Sequence, residues 1–163
     1  MNLWKKLKRI SLIKLVKFSF LLLQKPLLIL PILKATKQAL QVSQKLYGNA
    51  HNTNGKANAF RHAYWNYFIC EKTLNFTKNE QKSVIWTEKV VNYYEKVTKN
   101  NILDSEMDFH NNEIGRKQFL IHFEEKSFNS VQFFQNMTKN AQKMNKNTKN
   151  CKQKYKNCKK CFK

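Results

Sequence analysis

Residues that form tight turns are scarce in this sequence, which has only three glycines and two prolines among 163 residues. Sandwiches and barrels need many tight turns, so this composition argues against both architectures. Apolar residues make up 42% of the chain and include twelve phenylalanines, which is enough for a packed core. The glycine-rich nucleotide loops and the common metalloprotease and serine-hydrolase motifs are absent from the sequence. The sequence therefore predicts an all-α protein with a single compact helical domain.

Basic residues are concentrated at the two ends of the chain. Residues 1–50 contain ten Lys or Arg, residues 138–163 contain ten Lys, and neither segment has an acidic residue. The segment between them has eleven basic and ten acidic residues. Basic arms attract anionic surfaces, either nucleic acid or a bilayer, although a coding bias toward Lys and Asn would give the same composition. Only Tyr155 and Phe162 are aromatic in the C-terminal arm, which argues against sequence-specific nucleic-acid recognition.

The N-terminal arm, residues 1–33, combines basic with apolar side chains. Its first half has apolar residues at steps of three and four between lysines, a pattern typical of a helix in a membrane interface. Its second half is more continuously apolar but is interrupted by Lys25, Pro26 and Pro31. Three arrangements remain open: interfacial or re-entrant association, a membrane span, and packing of the arm onto the domain. We expect a membrane-associated protein with an anionic membrane surface as partner, on the cytoplasmic face.

Helical periodicity divides the rest of the chain into a domain, residues 34–137, and a tail, residues 138–163. We expect the domain to contain four to five helices, over residues 34–47, 58–72, 79–98 and 105–137. The last of these ranges is expected to be broken near Ser127. The tail is rich in Lys and Asn and poor in apolar side chains, which predicts that it is disordered.

Two segments carry a high density of polar residues between apolar stretches. One helical face of NAFRHAYWN carries Asn58, His62, Trp65 and Asn66. One helical face of MDFHNNEIGR carries Asp108, Asn111, Asn112 and Gly115. Polar groups at this density usually face one another, because each is costly to bury alone, so we expect His62 and Asp108 to lie close together across two helices. A glycine inside a helix costs about 1 kcal/mol relative to alanine, and Gly115 therefore suggests close approach of another backbone or of a ligand.

The two motifs together resemble the paired signature of an uncharacterised family of small helical bacterial domains. Members of that family are common in Bacteroidota and also occur as modules of toxin-like proteins. The resemblance covers roughly residues 34–125 and implies a helical fold with a shared site, but no established activity. The helix between the motifs usually carries a His-Glu pair in the family, whereas this chain has Tyr94 and Glu95 there. The departure at Tyr94 argues against a role that depends on a histidine at that position.

Several of these residues can bind metals or transfer protons. A divalent metal ion is the candidate cofactor, and its candidate ligands are His62, Glu95, Asp108 and His110. The candidate catalytic residues are His62, Asp108 and His110, with His62 as general base oriented by Asp108 when no metal takes part. The candidate binding residues are Asn58, Arg61, Asn66, Asn111, Asn112 and Arg116.

Three functions from different classes remain open for this sequence. In the first, the protein is a hydrolase near a bilayer, metal-dependent or not, and its substrate is a phosphoester, an amide or a lipid ester. In the second, the polar residues form a helix-packing scaffold in a non-catalytic membrane-bound module, because a buried network can lock helices in one arrangement. Binding of a ligand without catalysis is the third. The sequence alone does not decide whether the protein is an enzyme.

Overall fold

The computed structural model describes residues 12–98 and 102–141, with side chains from residue 106 onward in the second range. These residues form six α-helices: α1 (Leu12–Leu23), α2 (Ile29–Tyr47), α3 (Lys56–Thr77), α4 (Glu80–Thr98), α5 (Ile102–His122) and α6 (Ser130–Lys139). Short 3-10 helices, Pro26–Leu28 and Gly48–Asn52, precede α2 and follow it. The described ranges contain no strand, so the prediction of an all-α fold is confirmed.

Helix α3 lies at the centre of the domain and packs against α2, α4, α5 and α6. Its buried residues surround the helix instead of forming a single stripe, as expected for a helix enclosed by others. Phe60, Tyr64 and Phe68 stack along one side of α3. Tyr64 and Tyr67 contact Phe134 of α6 edge-on, and this aromatic cluster forms much of the core.

Helix α5 lies directly against α3 at Gly115. A Cβ atom at this position would overlap the carbonyl oxygen of Ala63 and lie 2.9 Å from its carbonyl carbon. No residue with a side chain fits there unless the two helices move apart. The prediction that Gly115 marks close approach by another backbone is therefore confirmed.

Several helices extend beyond their predicted ends. Helix α2 begins at Ile29 and crosses the predicted boundary between arm and domain. Pro31 lies in the first turn of this helix, where backbone N–H groups have no partner within the helix, so the proline costs no helical hydrogen bond. Helix α3 runs from Lys56 to Thr77 and is longer than predicted at both ends. The predicted break near Ser127 is confirmed, because residue 127 lies between α5 and α6. The described helices number six because α1, in the N-terminal arm, adds one to the five of the domain.

The N-terminal arm contributes one face to the core. Leu21, Leu28 and Ile32 are buried, and α1 packs against α4, so packing onto the domain is found for this part of the arm. The opposite face, which we call the apolar outer face, exposes Leu12, Ile13, Val16, Phe20, Leu23, Leu27, Leu30 and Leu33. Among the described residues, no helix taken alone has the length and apolar character of a membrane span. The arm helices pass that test only as a pair, with a bend of 100° between them.

Parts of both basic ends lie outside the described residues. Predictions about the first lysines fall on residues 1–11, and most of the predicted disordered tail falls on residues 142–163. The start of that predicted tail differs from the prediction, because residues 138 and 139 form the end of α6. Thr138 is buried there and its hydroxyl donates to the Phe134 carbonyl oxygen, and α6 ends two residues past the predicted end of the domain.

Candidate active site

The two polar motifs face each other across α3 and α5, and α4 completes the cluster. His62 Nε2 lies 3.4 Å from Asp108 Oδ1, and His62 Nδ1 lies 3.3 Å from Glu95 Oε1. The exposed fractions of the His62, Glu95 and Asp108 side chains are 5%, 0% and 1%. The predicted proximity of His62 and Asp108 is confirmed. We call these three residues and the side chains bonded to them the His62 cluster.

The side-chain amides of Asn66 and Asn112 lie on the Nδ1 side of the His62 imidazole. Asn112 Oδ1 accepts a hydrogen bond from Asn66 Nδ2 at 2.7 Å and lies 3.1 Å from His62 Nδ1. The other end of the same amide, Asn112 Nδ2, donates to Glu95 Oε1 at 3.4 Å. Both atoms that face His62 Nδ1 are oxygen acceptors, whereas Nε2 lies 3.0 Å from the Arg61 donor and 3.4 Å from Asp108 Oδ1, so the tautomer with its proton on Nδ1 satisfies the shorter contact on each side of the ring.

The guanidinium of Arg61 lies on the Nε2 side of the ring. Arg61 Nη2 lies 3.0 Å from His62 Nε2 and donates to Asn58 Oδ1 at 2.5 Å, while Nη1 donates to Asn52 Oδ1 at 3.4 Å. Asn58 Nδ2 in turn donates to Asp108 Oδ1 at 2.9 Å. Arg61 and Asn58 thus connect His62 Nε2 to Asp108 through a chain of hydrogen bonds.

Negative charge exceeds positive charge around His62. Glu95 and Asp108 supply two carboxylates, and Arg61 supplies one guanidinium. Burial lowers the pKa of Arg61, and the negative charges of Asp108 and Glu95 oppose that shift. Burial also raises the pKa of Tyr94, and Glu95 adds to this, so the neighbouring phenol stays neutral. A proton on His62 or a bound cation would balance the remaining negative charge, which is costly to bury.

Comparison with known protein families identifies the domain that contains the His62 cluster. Residues 19–143 match the family described as a domain of unknown function, DUF6973. The chain belongs to the DUF6973 family. The match begins within α1 and includes all of α2–α6, so the whole His62 cluster lies inside the DUF6973 region. No curated protein and no solved structure matches the chain. Membership of an uncharacterised family is confirmed, whereas the bacterial distribution implied by the motifs stays a prediction.

A metal ion could be held in this DUF6973 domain by His62, Glu95 and Asp108. Each offers one ligand atom, and these atoms lie within 4.8 Å of one another. One imidazole nitrogen and two carboxylate oxygens suit zinc, manganese or iron. An ion bound through Nε2 would require Arg61 to move, because its Nη2 already lies beside that nitrogen.

Three other candidates lie at different places in the DUF6973 domain. His110 is half-buried, and it is not part of the described His62, Glu95 and Asp108 group. It lies two residues from Asp108, about 200° around α5, and burial, opposed by Glu113, lowers the pKa of His110. Asn111 is also half-buried. Arg116 is buried and donates to Asn66 Oδ1 at 2.9 Å, at the far end of the amide network.

Sequence reasoning missed Asn52 and Phe18 as neighbours of the site, whereas the resemblance to the family placed Tyr94 beside Glu95 in the helix between the motifs. Trp65, which shares the predicted face with His62, contacts its ring edge-on with centroids 6.2 Å apart. Tyr94 contacts Trp65 at 5.6 Å, and Phe18 of α1 contacts Tyr94 at 6.4 Å. Only the helical spacing of Trp65 could be read from the sequence, because the other contacts join distant segments.

Proposed function

We propose that this DUF6973 protein is a hydrolase that acts at a membrane surface, with His62 as its general base. The observation that carries the proposal is the buried imidazole whose Nδ1 faces Glu95 and Asn112, which leaves Nε2 to accept a proton. A carboxylate beside one ring nitrogen orients the ring and stabilises the imidazolium that forms when the other nitrogen takes a proton from water. Glu95 has that role here, and Asp108 lies beside the accepting nitrogen.

Arg61 supports a substrate that carries negative charge. Its Nη2 lies 3.0 Å from His62 Nε2, so the base becomes available only when the guanidinium moves away. A phosphate group binds a guanidinium through two parallel hydrogen bonds. It would draw Arg61 away from Nε2 and hold the substrate in the same step. We therefore favour a phosphoester or a phospholipid over a neutral ester or an amide.

The cluster also supports a metal-dependent form of the hydrolase, in which His62 binds the ion and does not act as the base. A divalent ion held by His62, Glu95 and Asp108 would activate the attacking water and balance the excess negative charge. Metal analysis of the purified protein and thermal melts with and without a chelator test this form. We expect chelation to lower the melting temperature of wild type and of His110→Gln, and to have no effect on His62→Gln.

The membrane part of the proposal rests on the apolar outer face. Phe20 is 70% exposed and Leu27 is 75% exposed, and a patch of this kind is uncommon on a soluble monomer. Exposed lysines accompany this face: Lys14, Lys17 and Lys25 lie between its apolar residues along the chain, and Lys34 and Lys37 follow Leu33. Apolar insertion and attraction to anionic headgroups act together in interfacial binding, and the anionic cytoplasmic leaflet is the surface that fits.

Hydrolysis is tested with vesicles of phosphatidylcholine and phosphatidylglycerol, by measuring released fatty acid and released headgroup, as the alcohol or its phosphate monoester. We expect product with the wild type, none with His62→Gln, and wild-type rates with the matched variant His110→Gln. Equal rates for wild type and His62→Gln would refute His62 as the base. Membrane binding is tested separately by co-sedimentation: Phe20→Glu should release the protein, whereas Phe76→Glu, at another exposed phenylalanine, should not.

Burial favours a second candidate function, a non-catalytic membrane-bound module in which the His62 cluster is a scaffold. The three central side chains have almost no exposure, and amides bond to all three of them. Such a network stabilises one arrangement of α3, α4 and α5. In that case His62→Gln should lower the melting temperature, and neither vesicles nor chelator should reveal any activity.

A further inference from the structure

We infer that α1 covers the entrance to the His62 cluster, and that docking of the apolar outer face on an anionic bilayer displaces it. A lipid ester would then enter from the membrane side. The inference rests on the proposed function only for the hydrolytic step, since the movement of α1 can be measured without any reaction.

The inner side of α1 packs on α4 through aromatic rings. Phe18 stacks on Tyr93 with parallel rings whose centroids are 5.7 Å apart, and it contacts Tyr94 at 6.4 Å. Leu21 is buried beside these contacts. Phe18 therefore holds α1 over Tyr94, which lies against Trp65, and Trp65 in turn contacts the His62 ring.

This side of the cluster can open at little polar cost. The contacts from Phe18 to Tyr94, from Tyr94 to Trp65 and from Trp65 to His62 are all between rings. Trp65 Nε1 donates to Thr36 Oγ1 at 2.9 Å, and that bond does not involve α1. Lifting Phe18 would break ring contacts and leave that bond intact, and the exposed rings would suit the acyl chain of a lipid.

The outer side of α1 provides the driving force for the movement. Within the described chain, helix α1 packs mainly against α4 and the 3-10 helix Pro26–Leu28, and its residues Val16 and Phe20 face outward. A bilayer that buries this face favours whichever position of α1 exposes more of it to lipid. The 100° bend after Leu23 supplies a place where α1 can rotate.

Trp65 can report the movement directly. The chain has three tryptophans, and Trp4→Phe with Trp86→Phe leaves Trp65 as the single fluorophore. Trp86 Nε1 has no hydrogen-bond partner among the described residues, so its replacement by Phe removes no bond seen there. We expect vesicles of anionic lipids with brominated acyl chains to quench Trp65, whereas brominated phosphatidylcholine alone should not.

A matched pair of variants in this reporter protein separates the two faces of α1. Phe18→Ala should raise the acrylamide quenching of Trp65 in solution without vesicles, because it removes the contact that holds α1 closed. Phe20→Ala, two residues away on the outer side, should leave quenching in solution unchanged and weaken vesicle binding. Both variants truncate a Phe of the same helix to Ala, so a general effect on α1 would appear in both.

The inference is overturned if Trp65 stays protected on vesicles that bind the protein, or if Phe18→Ala leaves its quenching in solution unchanged. Failure of the proposed function gives a different result: Trp65 becomes quenched on anionic vesicles, but no product is released. If product is released while Trp65 remains protected, the proposed hydrolase activity stands and the proposed covering role of α1 is refuted.

Discussion

Gly115 of α5 lies against the backbone of Ala63 in α3, so close that any side chain at position 115 would overlap the Ala63 carbonyl group. His62 precedes Ala63 in the chain, and Asn112 and Asp108 lie three and seven residues before Gly115 in α5. The contact therefore sets the distance between the two helices that carry most of the His62 cluster. The close packing at Gly115 therefore also determines the geometry of the candidate site.

We expect Gly115→Ala to destabilise the protein by about 1–3 kcal/mol, because the added methyl group forces two packed backbones apart. In an isolated helix the same change would stabilise by about 1 kcal/mol, so the sign of the effect is diagnostic. Gly55→Ala is the matched control, since no described residue lies within 4 Å of a Cβ atom there. Thermal melts measure both, and a Gly115→Ala variant as stable as wild type would contradict the contact.

We expect Asp108→Asn to abolish hydrolysis and to leave the melting temperature unchanged or raise it. The variant removes one of two carboxylates that share a single guanidinium, and its amide oxygen can still accept from Asn58. Melts with and without a chelator and the vesicle assay measure both effects. A clearly lower melting temperature, with no effect of the chelator on either protein, would favour the scaffold.

Arg61→Lys tests the charge of the substrate. A lysine is a point charge without the planar fork that bonds Asn52 and Asn58 and would grip a phosphate. We expect the KM for a phospholipid to rise about tenfold, corresponding to the loss of a charged hydrogen bond. A short-chain neutral ester cannot draw the guanidinium away from His62 Nε2, so its rate should be low with wild type and should not fall with Arg61→Lys. An equal loss with both substrates would instead indicate that Arg61 positions His62.

Alkaline pH should destabilise the fold through Tyr64 and Tyr67. Burial raises the pKa of both phenols from 10.0 to about 12, and Glu71 adds to the shift. Stability is then complete below the unfolded pKa of 10.0 and is lost as the pH rises toward about 12. The full loss is of order 2–3 kcal/mol for each phenol, at about 1.4 kcal/mol for each pKa unit.

Thermal melts at increasing alkaline pH, with tyrosinate absorbance as a second signal, measure this dependence. We expect Tyr64→Phe to weaken it, because the variant keeps the buried ring and removes one ionisable group. Ionisation of all six tyrosines at their ordinary pKa, without unfolding, would contradict the burial of the two phenols.

Much of the fold and part of the site could be predicted because they depend on local geometry. Scarce turn residues and helical periodicity predict an all-α domain, and the i, i+3 and i+4 spacing in both motifs predicts which polar side chains share a face. Gly115 predicts close approach by another backbone or by a ligand, because a glycine inside a helix costs about 1 kcal/mol relative to alanine. The proximity of His62 and Asp108 follows from the cost of burying either one alone.

Tertiary structure decided the rest. The buried positions of Leu21 and Leu28 depend on the bend that returns α1 to α4, and composition could not distinguish that from an arm in a membrane. Asn52 reaches Arg61, and Phe18 reaches Tyr94, across segments whose separation no periodicity specifies. A sequence determines what each helix face contains, because side-chain direction repeats along one helix. The packing of all the helices together decides which faces meet. A helix face gains from burial only where another helix offers it an unoccupied surface.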